Sequence, residues 1–282
     1  MPRYRLTIAY DGTEFVGWQK QEPPASEHPG LPVLDEPGPD GRPRVALRSV
    51  QHVVEQAVRE TVREEIDLLG ASRTDSGVHA LGQVAAFTSV PDESRGVGWP
   101  ESRGCDTLVR ALNARLPRDV LVRDAAIVPD DFNPIGGAIE KEYTYSIVSG
   151  ETRPMWDRAY VFHTWHTLEA EPMRAVASAL VGEHDFEAFA SANHGRQSTV
   201  RTVFACGVEE DRTDDGHRLV IRIRGSGFLY NMVRIVAGTL LEAGRGKIDV
   251  EQARRALDTG DRTLAGPTLP PQGLRLEWVR YE

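Results

Sequence analysis

The sequence predicts an α+β fold in which helices pack on one side of a mostly antiparallel sheet. Two observations lead to this prediction. Short stretches in which apolar and polar residues alternate outnumber the stretches with helical periodicity. The long helical stretches fall in separate halves of the chain, instead of following every strand as they do in a parallel α/β fold. The two halves are similar in element order, although their sequences contain no repeat.

The N-terminal half begins with a strand over residues 3–10, in which every second residue is apolar. An amphipathic helix follows, with Ser49 as its N-cap. Its apolar residues recur at steps of three and four: Val50, Val53, Val54, Ala57, Val58 and Val62. The remaining patterns predict strands over 66–69 and 83–87, a helix that ends near Arg115, and a strand over 120–127.

Residues 22–48 interrupt this half with a different composition. Seven of the chain's 18 prolines lie in this stretch, together with several acidic residues. Proline removes a backbone donor and cannot continue a helix or a central strand. We therefore predict a surface loop or a partly disordered insertion.

The C-terminal half begins with a strand over 141–148. A helix carrying Met173, Val176, Ala177 and Leu180 comes next, and a hairpin around Asp214, Asp215 and Gly216 joins two further strands. An almost wholly apolar helix over 228–243 must be deeply buried. A short helix over 250–257 and a strand over 274–281 complete the prediction.

Composition excludes several classes of protein. The chain has 33 basic and 42 acidic residues, a net charge of −9, which argues against indiscriminate nucleic-acid binding but allows a local basic groove. Its two cysteines, Cys105 and Cys206, form neither a disulfide framework nor a zinc site. Because no signal peptide or membrane-length apolar stretch is present, we expect a cytoplasmic protein without a membrane partner.

Residues 71–80 carry the strongest chemical signal. This stretch lies between two predicted strands and combines Arg73, Asp75 and His79 with small turn-forming residues. Loops on rigid scaffolds often hold catalytic side chains. Composition alone favours a plain turn in which Asp75 caps its own backbone.

A second interpretation is an aspartic protease. Residues 75–77 and 258–260 both match the short Asp-Ser/Thr-Gly pattern, and two carboxylates sharing a proton would activate water. In that class each triplet follows an apolar strand. Here Arg73 and Thr74 precede the first triplet, and the second ends a helical stretch. A three-residue match is weak evidence, so we disfavour this interpretation.

The segment Arg-Thr-Asp-Ser-Gly-Val-His-Ala over 73–80 resembles the catalytic loop of TruA-type tRNA pseudouridine synthases, usually G-R-T-D-A-G-V-H-A. Ser72 and Ser76 replace the usual Gly and Ala. The resemblance extends along nearly the whole chain, through Tyr10-Asp11-Gly12, Gly17-Trp18-Gln19, Ser49-Val50-Gln51, residues 112–117, Lys141-Glu142-Tyr143-Thr144-Tyr145, His184-Asp185-Phe186, Gly227-Phe228, Met232-Val233-Arg234 and several residues of 261–274.

The resemblance implies a pseudouridine synthase fold, with an antiparallel sheet across two similar lobes and a basic central cleft. We place the lobes at 1–140 and 141–282. The implied reaction detaches uracil from C1′ of a uridine and rejoins it through C5, which needs no cofactor and no metal. The implied substrate is tRNA, at positions 38 to 40 of its anticodon stem-loop. Members of the family in bacteria form homodimers.

The resemblance also assigns roles to individual residues. Asp75 is the catalytic carboxylate, and Arg234 holds it ionised and oriented. Tyr143 stacks on the target base and can assist with the C5 proton, although periodicity alone equally allows a core tyrosine. Arg73 fills the gap that the flipped nucleotide leaves in the RNA stack.

Thr74, His79, Arg222 and Arg224 complete the predicted substrate-binding set, with His79 more structural than catalytic. Arg196 and Arg201 are weaker candidates for RNA contacts. His163 and His166 make an unpromising metal pair, and we assign them no role.

The chain departs from the family pattern at three places: the insertion at 22–48, Ile135 where arginine is common, and Tyr230-Asn231 where histidines are frequent. A non-catalytic RNA-binding module is the main alternative function. Such a module would tolerate the loss of Asp75 or Tyr143.

Overall fold

The computed structural model describes residues 1–34, 37–92, 94–191, 198–213 and 216–282, with the side chains of Arg212 and Thr213 left out. The chain forms two compact units, residues 1–137 and 138–282. Each unit contains helices and a mostly antiparallel sheet, which confirms the predicted α+β class. The lobe boundary after residue 140 stays a prediction, because compactness does not test whether either part folds alone.

The described residues of the first unit form four strands and two α-helices. The strands are β1 (Arg3–Tyr10), β2 (Leu69–Gly70), β3 (His79–Thr88) and β4 (Val120–Val128). The helices are α1 (Val50–Val62) and α2 (Cys105–Asn113). Strand β1 lies between β4 and β3 and is antiparallel to both. Strand β2 pairs with β3, so the chain that leaves β2 must turn to enter β3.

The predicted patterns of this unit form as expected at β1 and α1. The alternate residues Tyr4, Leu6, Ile8 and Tyr10 of β1 are buried. The Ser49 hydroxyl accepts a hydrogen bond from the His52 N–H and caps α1. Strand β2 is shorter than the predicted 66–69, because side chains of α1 bind the backbone before it. Arg59 donates to the Ile66 carbonyl, and the Leu68 N–H donates to Glu55.

Six strands lie in the part of the second unit that the structure describes. They are β5 (Glu140–Ser149), β6 (Phe162–Thr164), β7 (Gly182–Asp185), β8 (Val200–Thr213), β9 (Gly216–Gly225) and β10 (Leu274–Arg280). Five of them pair in the order β10-β5-β9-β8-β7, all antiparallel, and β6 joins β5 in parallel. The alternation of apolar and polar residues did not predict β6 and β7, because these strands have only three and four residues. Asp214 and Asp215 of the predicted hairpin lie outside the described residues, but Thr213 pairs with Gly216.

The described part of the second unit also has three α-helices: α3 (Ala170–Ala179), α4 (Met232–Gly244) and α5 (Val250–Thr259). Helix α4 is nearly all buried, as its composition predicts. It begins four residues later than predicted, because Asn231 has a left-handed backbone with φ of 61°. That conformation cannot belong to a right-handed helix, so Phe228 and its neighbours lead into α4 instead of forming it.

The insertion at 22–48 has little regular structure where it is described. It contains a short 3-10 turn over Ala25–Glu27 and two isolated bridges, Pro24 with Arg44 and Val33 with Val45. No helix among the described residues is long and apolar enough to cross a membrane.

Candidate active site

The loop between β2 and β3 places its polar side chains at different depths. Ser72, Thr74 and His79 are buried, whereas Arg73 is exposed and Asp75 is half-buried. The loop therefore anchors itself through alternate residues and presents a guanidinium and a carboxylate outward. This arrangement differs from a plain surface turn, which would leave most of its side chains in water.

Backbone hydrogen bonds from the segment after β1 hold the tip of this loop. The Trp18 N–H donates to the Thr74 carbonyl at 3.0 Å, and the Gly77 N–H donates to the Phe15 carbonyl at 3.3 Å. The Val78 N–H closes the turn on the Asp75 carbonyl at 3.1 Å. Asp75 thus lies between two fixed points of the backbone.

Gly12 allows this close approach. A Cβ atom at residue 12 would lie 2.0 Å from the carbonyl oxygen of Val78, which no side chain tolerates. The Gly12 N–H donates to Nδ1 of His79 at 3.0 Å, so residues 12, 78 and 79 form one contact. The Tyr10-Asp11-Gly12 motif therefore packs against the loop between β2 and β3, a role that its sequence alone did not reveal.

Nδ1 of His79 has two polar neighbours in the segment after β1. Nδ1 can accept from Gly12 only through its lone pair, which places the ring proton on Nε2. Nδ1 also lies 3.2 Å from Asp11 Oδ1, a contact that would need a proton on the same nitrogen. We favour the first arrangement, because Asp11 Oδ1 already accepts from the N–H and hydroxyl of Thr13.

Two further buried side chains fix the start of the loop. The hydroxyls of Tyr10 and Thr74 share a buried hydrogen bond of 2.7 Å. Gln83 accepts from the Ser72 N–H at 3.1 Å and donates to the Ser72 carbonyl at 2.6 Å. We therefore interpret Thr74 and His79 as residues that hold the loop. Their direct binding to RNA stays a prediction, which their burial does not favour.

Arg234 in the second unit is held near the start of α4. Its Nε donates to the Leu269 carbonyl and its Nη1 donates to Asn231 Oδ1, each at 2.7 Å. Asn231 in turn donates to the Ser191 hydroxyl at 2.8 Å. The departure from histidine at residue 231 thus supplies a partner for the arginine. Asparagine also suits the left-handed backbone at this position.

Residues 265–270, which we term the strap, press against α4. A Cβ atom at Gly238 would lie 1.8 Å from the Pro267 carbonyl oxygen. The Gly266 N–H donates to the Thr239 hydroxyl at 2.8 Å, and the Leu269 N–H donates to the Arg234 carbonyl at 3.3 Å. The strap therefore fixes both the backbone and the guanidinium of Arg234.

Two tyrosines of β5 have different surroundings. Tyr143 is 8% exposed, and its ring packs edge-to-face on Phe228 with centroids 5.3 Å apart. Burial raises the pKa of Tyr145, although the nearby Arg234 charge opposes the shift. Tyr145 therefore stays protonated and donates to the Pro270 carbonyl at 2.7 Å. Tyr145 therefore supports the strap. The role of Tyr143 as the stacking partner of the target base stays a prediction.

The predicted RNA-binding arginines of β9 bind carboxylates. Arg222 contacts Glu142 at 2.7 Å and Glu209 at 3.3 Å, and Arg224 lies 3.6 Å from Glu140. These carboxylates offset the positive charge that the two arginines bring to this strand face. RNA binding by either arginine stays a prediction. Arg201 donates to the Ser198 and Val200 carbonyls. Arg196 lies outside the described residues.

The second triplet of the protease interpretation does not follow a strand. Asp258 and Thr259 form the last turn of α5, and Gly260 caps that helix.

The described residues contain no group of three His, Cys, Asp or Glu side chains that could hold a metal ion. Asp75 and Arg234 belong to different units, and their predicted contact stays a prediction.

Known proteins resemble this chain over its full length. The family described as tRNA pseudouridine synthase matches residues 176–282. A tRNA pseudouridine synthase A 2 of Clostridium perfringens is 36% identical over 100% of both chains. The tRNA pseudouridine synthase A of Geotalea uraniireducens is 39% identical over 100% of both. That of Bacillus subtilis is 39% identical over 99% of both. The chain therefore belongs to the tRNA pseudouridine synthase family of RNA uridine isomerases.

Proposed function

We propose that this protein converts uridine to pseudouridine in tRNA, with Asp75 as its catalytic carboxylate. The observation that supports the proposal is the presentation of Asp75. Its loop is anchored by Trp18, Phe15 and Gly12, while the carboxylate itself remains half-exposed. A side chain held this way loses little entropy when it meets a substrate, which is a requirement for an oriented catalytic group.

The chemistry needs one well-placed carboxylate. Breaking the bond between C1′ and N1 leaves positive character at C1′, which an ionised carboxylate can stabilise or trap covalently. The uracil then rotates and C5 bonds to C1′, displacing the carboxylate wherever it had formed a bond to C1′. The proton on C5 leaves to a base or to water, and N1 takes up a proton. The C1′–C5 bond thus replaces the C1′–N1 bond, and the product is an isomer of the substrate.

The second unit contributes the supporting groups in this proposal. Arg234 would favour the ionised form of Asp75 through its positive charge. Its guanidinium is already oriented by Leu269 and Asn231. Tyr143 would stack on the target base, and the exposed Arg73 would occupy the space that the extruded nucleotide leaves.

Replacement of Asp75 by Asn tests the proposal directly. The amide keeps the shape of the side chain but cannot be ionised, so we expect product formation on tRNA to fall below about one thousandth of wild type. Carbodiimide-dependent primer extension measures the product. Asp67→Asn is a matched control, because Asp67 is an exposed carboxylate close to the same loop.

Asp67→Asn should retain wild-type activity. Wild-type levels of product from Asp75→Asn would contradict the assignment of Asp75. Failure of the wild-type protein to modify any uridine would instead favour the non-catalytic RNA-binding module.

We propose three finer points from the family resemblance. The target uridines lie at positions 38 to 40 of the anticodon stem-loop, the protein is cytoplasmic, and two copies form a homodimer. Mapping pseudouridine in tRNA from a strain that lacks the protein tests the positions. Sedimentation velocity tests the dimer, and a purely monomeric protein at micromolar concentration would contradict it.

A further inference from the structure

The segment between β5 and α3 exposes four large side chains that a folded protein normally hides. Met155, Trp156, Tyr160 and Trp165, which we term the aromatic patch, are exposed to 69%, 88%, 47% and 67%. Tryptophan is on average among the more buried residue types, so two exposed indoles within ten residues are unusual. Contiguous exposed apolar side chains mark interaction sites.

The register of the sheet places His163 and Arg218, two residues that contact the segment carrying the aromatic patch, on one face. His163 of β6 pairs with Val148 of β5, and Val148 pairs with Arg218 of β9. Directly paired residues point to the same face, and neighbouring strands lie about 4.8 Å apart. Arg218 and His163 therefore point the same way and are separated by roughly 10 Å.

His163 and Arg218 each contact one part of the segment that carries the patch. The His163 ring packs edge-to-face on Trp165, with centroids 4.3 Å apart. Arg218 binds Asp157, which follows Trp156 directly. The turn is closed by the Tyr160 N–H on the Asp157 carbonyl and by Arg158 on the Met155 carbonyl. Arg218 thus anchors the backbone beside Trp156, and His163 contacts the Trp165 ring directly.

Two arginines of the same segment have no acidic partner among the residues that the structure describes. Arg153 and Arg158 are exposed, and neither forms an ion pair with any residue that the structure describes. This differs from Arg222 and Arg224, which bind glutamates. Glu151 is an exposed acidic residue at the edge of the segment. The patch therefore combines flat apolar rings with available guanidinium groups.

We infer that the aromatic patch binds unpaired bases of the RNA substrate, at a loop of the tRNA away from the modified stem-loop. The inference rests on the proposed function. Indole rings stack on any base, and arginine contacts the phosphates that flank it. A second copy of this chain is the alternative occupant of the patch, and sedimentation of the variants distinguishes it from RNA.

Equilibrium binding of two RNAs tests the inference. One is a full-length fluorescein-labelled tRNA, and the other is an isolated anticodon stem-loop. We expect Trp156→Ala and Trp165→Ala each to weaken tRNA binding roughly tenfold, as measured by fluorescence anisotropy. Binding of the isolated stem-loop should not change. Trp156→Phe should restore most of the affinity, because a phenyl ring still stacks.

The control variant is Phe204→Ala. Phe204 is 46% exposed on β8, outside the patch and outside the catalytic residues. It should leave both affinities unchanged. Unchanged tRNA affinity in the tryptophan variants would overturn the inference. An equal loss for both RNAs would also overturn it, because the effect would then lie at the catalytic site or in the fold.

Sedimentation of the same variants separates the protein partner from the RNA. Dissociation of a dimer by Trp156→Ala, with tRNA affinity unchanged, would overturn the inference in favour of an interface between copies. The proposed function fails separately, if wild-type protein binds tRNA but forms no pseudouridine. In that case the anisotropy measurements still decide whether the patch binds RNA.

Discussion

The loop that carries Asp75 and the helix that carries Arg234 are both held firmly, but by different interactions. Hydrogen bonds from an irregular segment hold the loop, through Trp18, Phe15 and Gly12. Burial of apolar side chains holds α4, and the strap adds a few polar contacts. Each hydrogen bond is directional but stabilises by only about 1 kcal/mol, whereas apolar burial stabilises more and orients less.

This difference has a testable consequence. A disturbance of the loop should reduce activity before it reduces stability, because a small shift of Asp75 suffices. A disturbance of α4 should reduce stability first, because the helix belongs to the core of its unit. Two glycines in similar close contacts allow the same substitution in each region.

The largest effect on stability is expected from Gly238→Ala. The new methyl group would lie 1.8 Å from the Pro267 carbonyl oxygen, so the strap must move away from α4. We expect a loss of about 3 kcal/mol in the free energy of unfolding, measured by urea denaturation. Gly207→Ala is the control, because nothing lies within 4 Å of a Cβ atom there. A Gly238→Ala protein as stable as that control would break the comparison.

Gly12→Ala should show the opposite balance. The methyl group would collide with the Val78 carbonyl and shift the loop by up to an ångström, so we expect kcat to fall about 100-fold. The loss in free energy of unfolding should be about 1 kcal/mol, since the loop adds little to the core. Single-turnover assays and urea denaturation measure the two effects.

Gly136→Ala serves as the control in the same unit, because its nearest neighbour would be 3.6 Å away. A Gly12→Ala protein with normal kcat would show that the loop adjusts freely, contrary to the comparison.

The smallest effect is expected from the hydroxyl pair of Tyr10 and Thr74, which share a buried 2.7 Å hydrogen bond. Tyr10→Phe leaves the threonine without this partner, and Thr74→Val does the reverse. A double-mutant cycle on the free energy of unfolding should give a coupling of about 1 kcal/mol. Coupling near zero would indicate that the bond does not hold the loop and would weaken the polar side of the comparison.

The sequence predicted most of the fold, because periodicity reports directly on burial. The β1 alternation and the Ser49 cap are local signals, and both formed as expected. The errors occurred where non-local contacts decide. Arg59 donates a hydrogen bond to the Ile66 carbonyl, and Glu55 accepts one from the Leu68 N–H. These bonds keep the two backbone groups out of the sheet and shorten β2. Asn231 delays the start of α4 through one left-handed residue.

Less of the candidate site could be predicted from residue patterns alone. The motif at 73–80 located Asp75, but the partners of its loop lie more than 50 residues earlier, at Tyr10, Gly12 and Trp18. Nothing in local periodicity reports that two irregular segments touch. Arg222 and Arg224 alternate on a strand face as RNA contacts would, yet their glutamate neighbours come from other strands.

The strap also sets when Arg234 can reach its working position during synthesis of the protein. The Nε of Arg234 donates to the Leu269 carbonyl, and the Tyr145 hydroxyl donates to the Pro270 carbonyl. Leu269 and Pro270 are translated well after α4. A nascent chain that has just completed α4 would hold a mobile guanidinium beside an unfinished core. We expect the Arg234 guanidinium to be ordered only after the ribosome has passed residue 270.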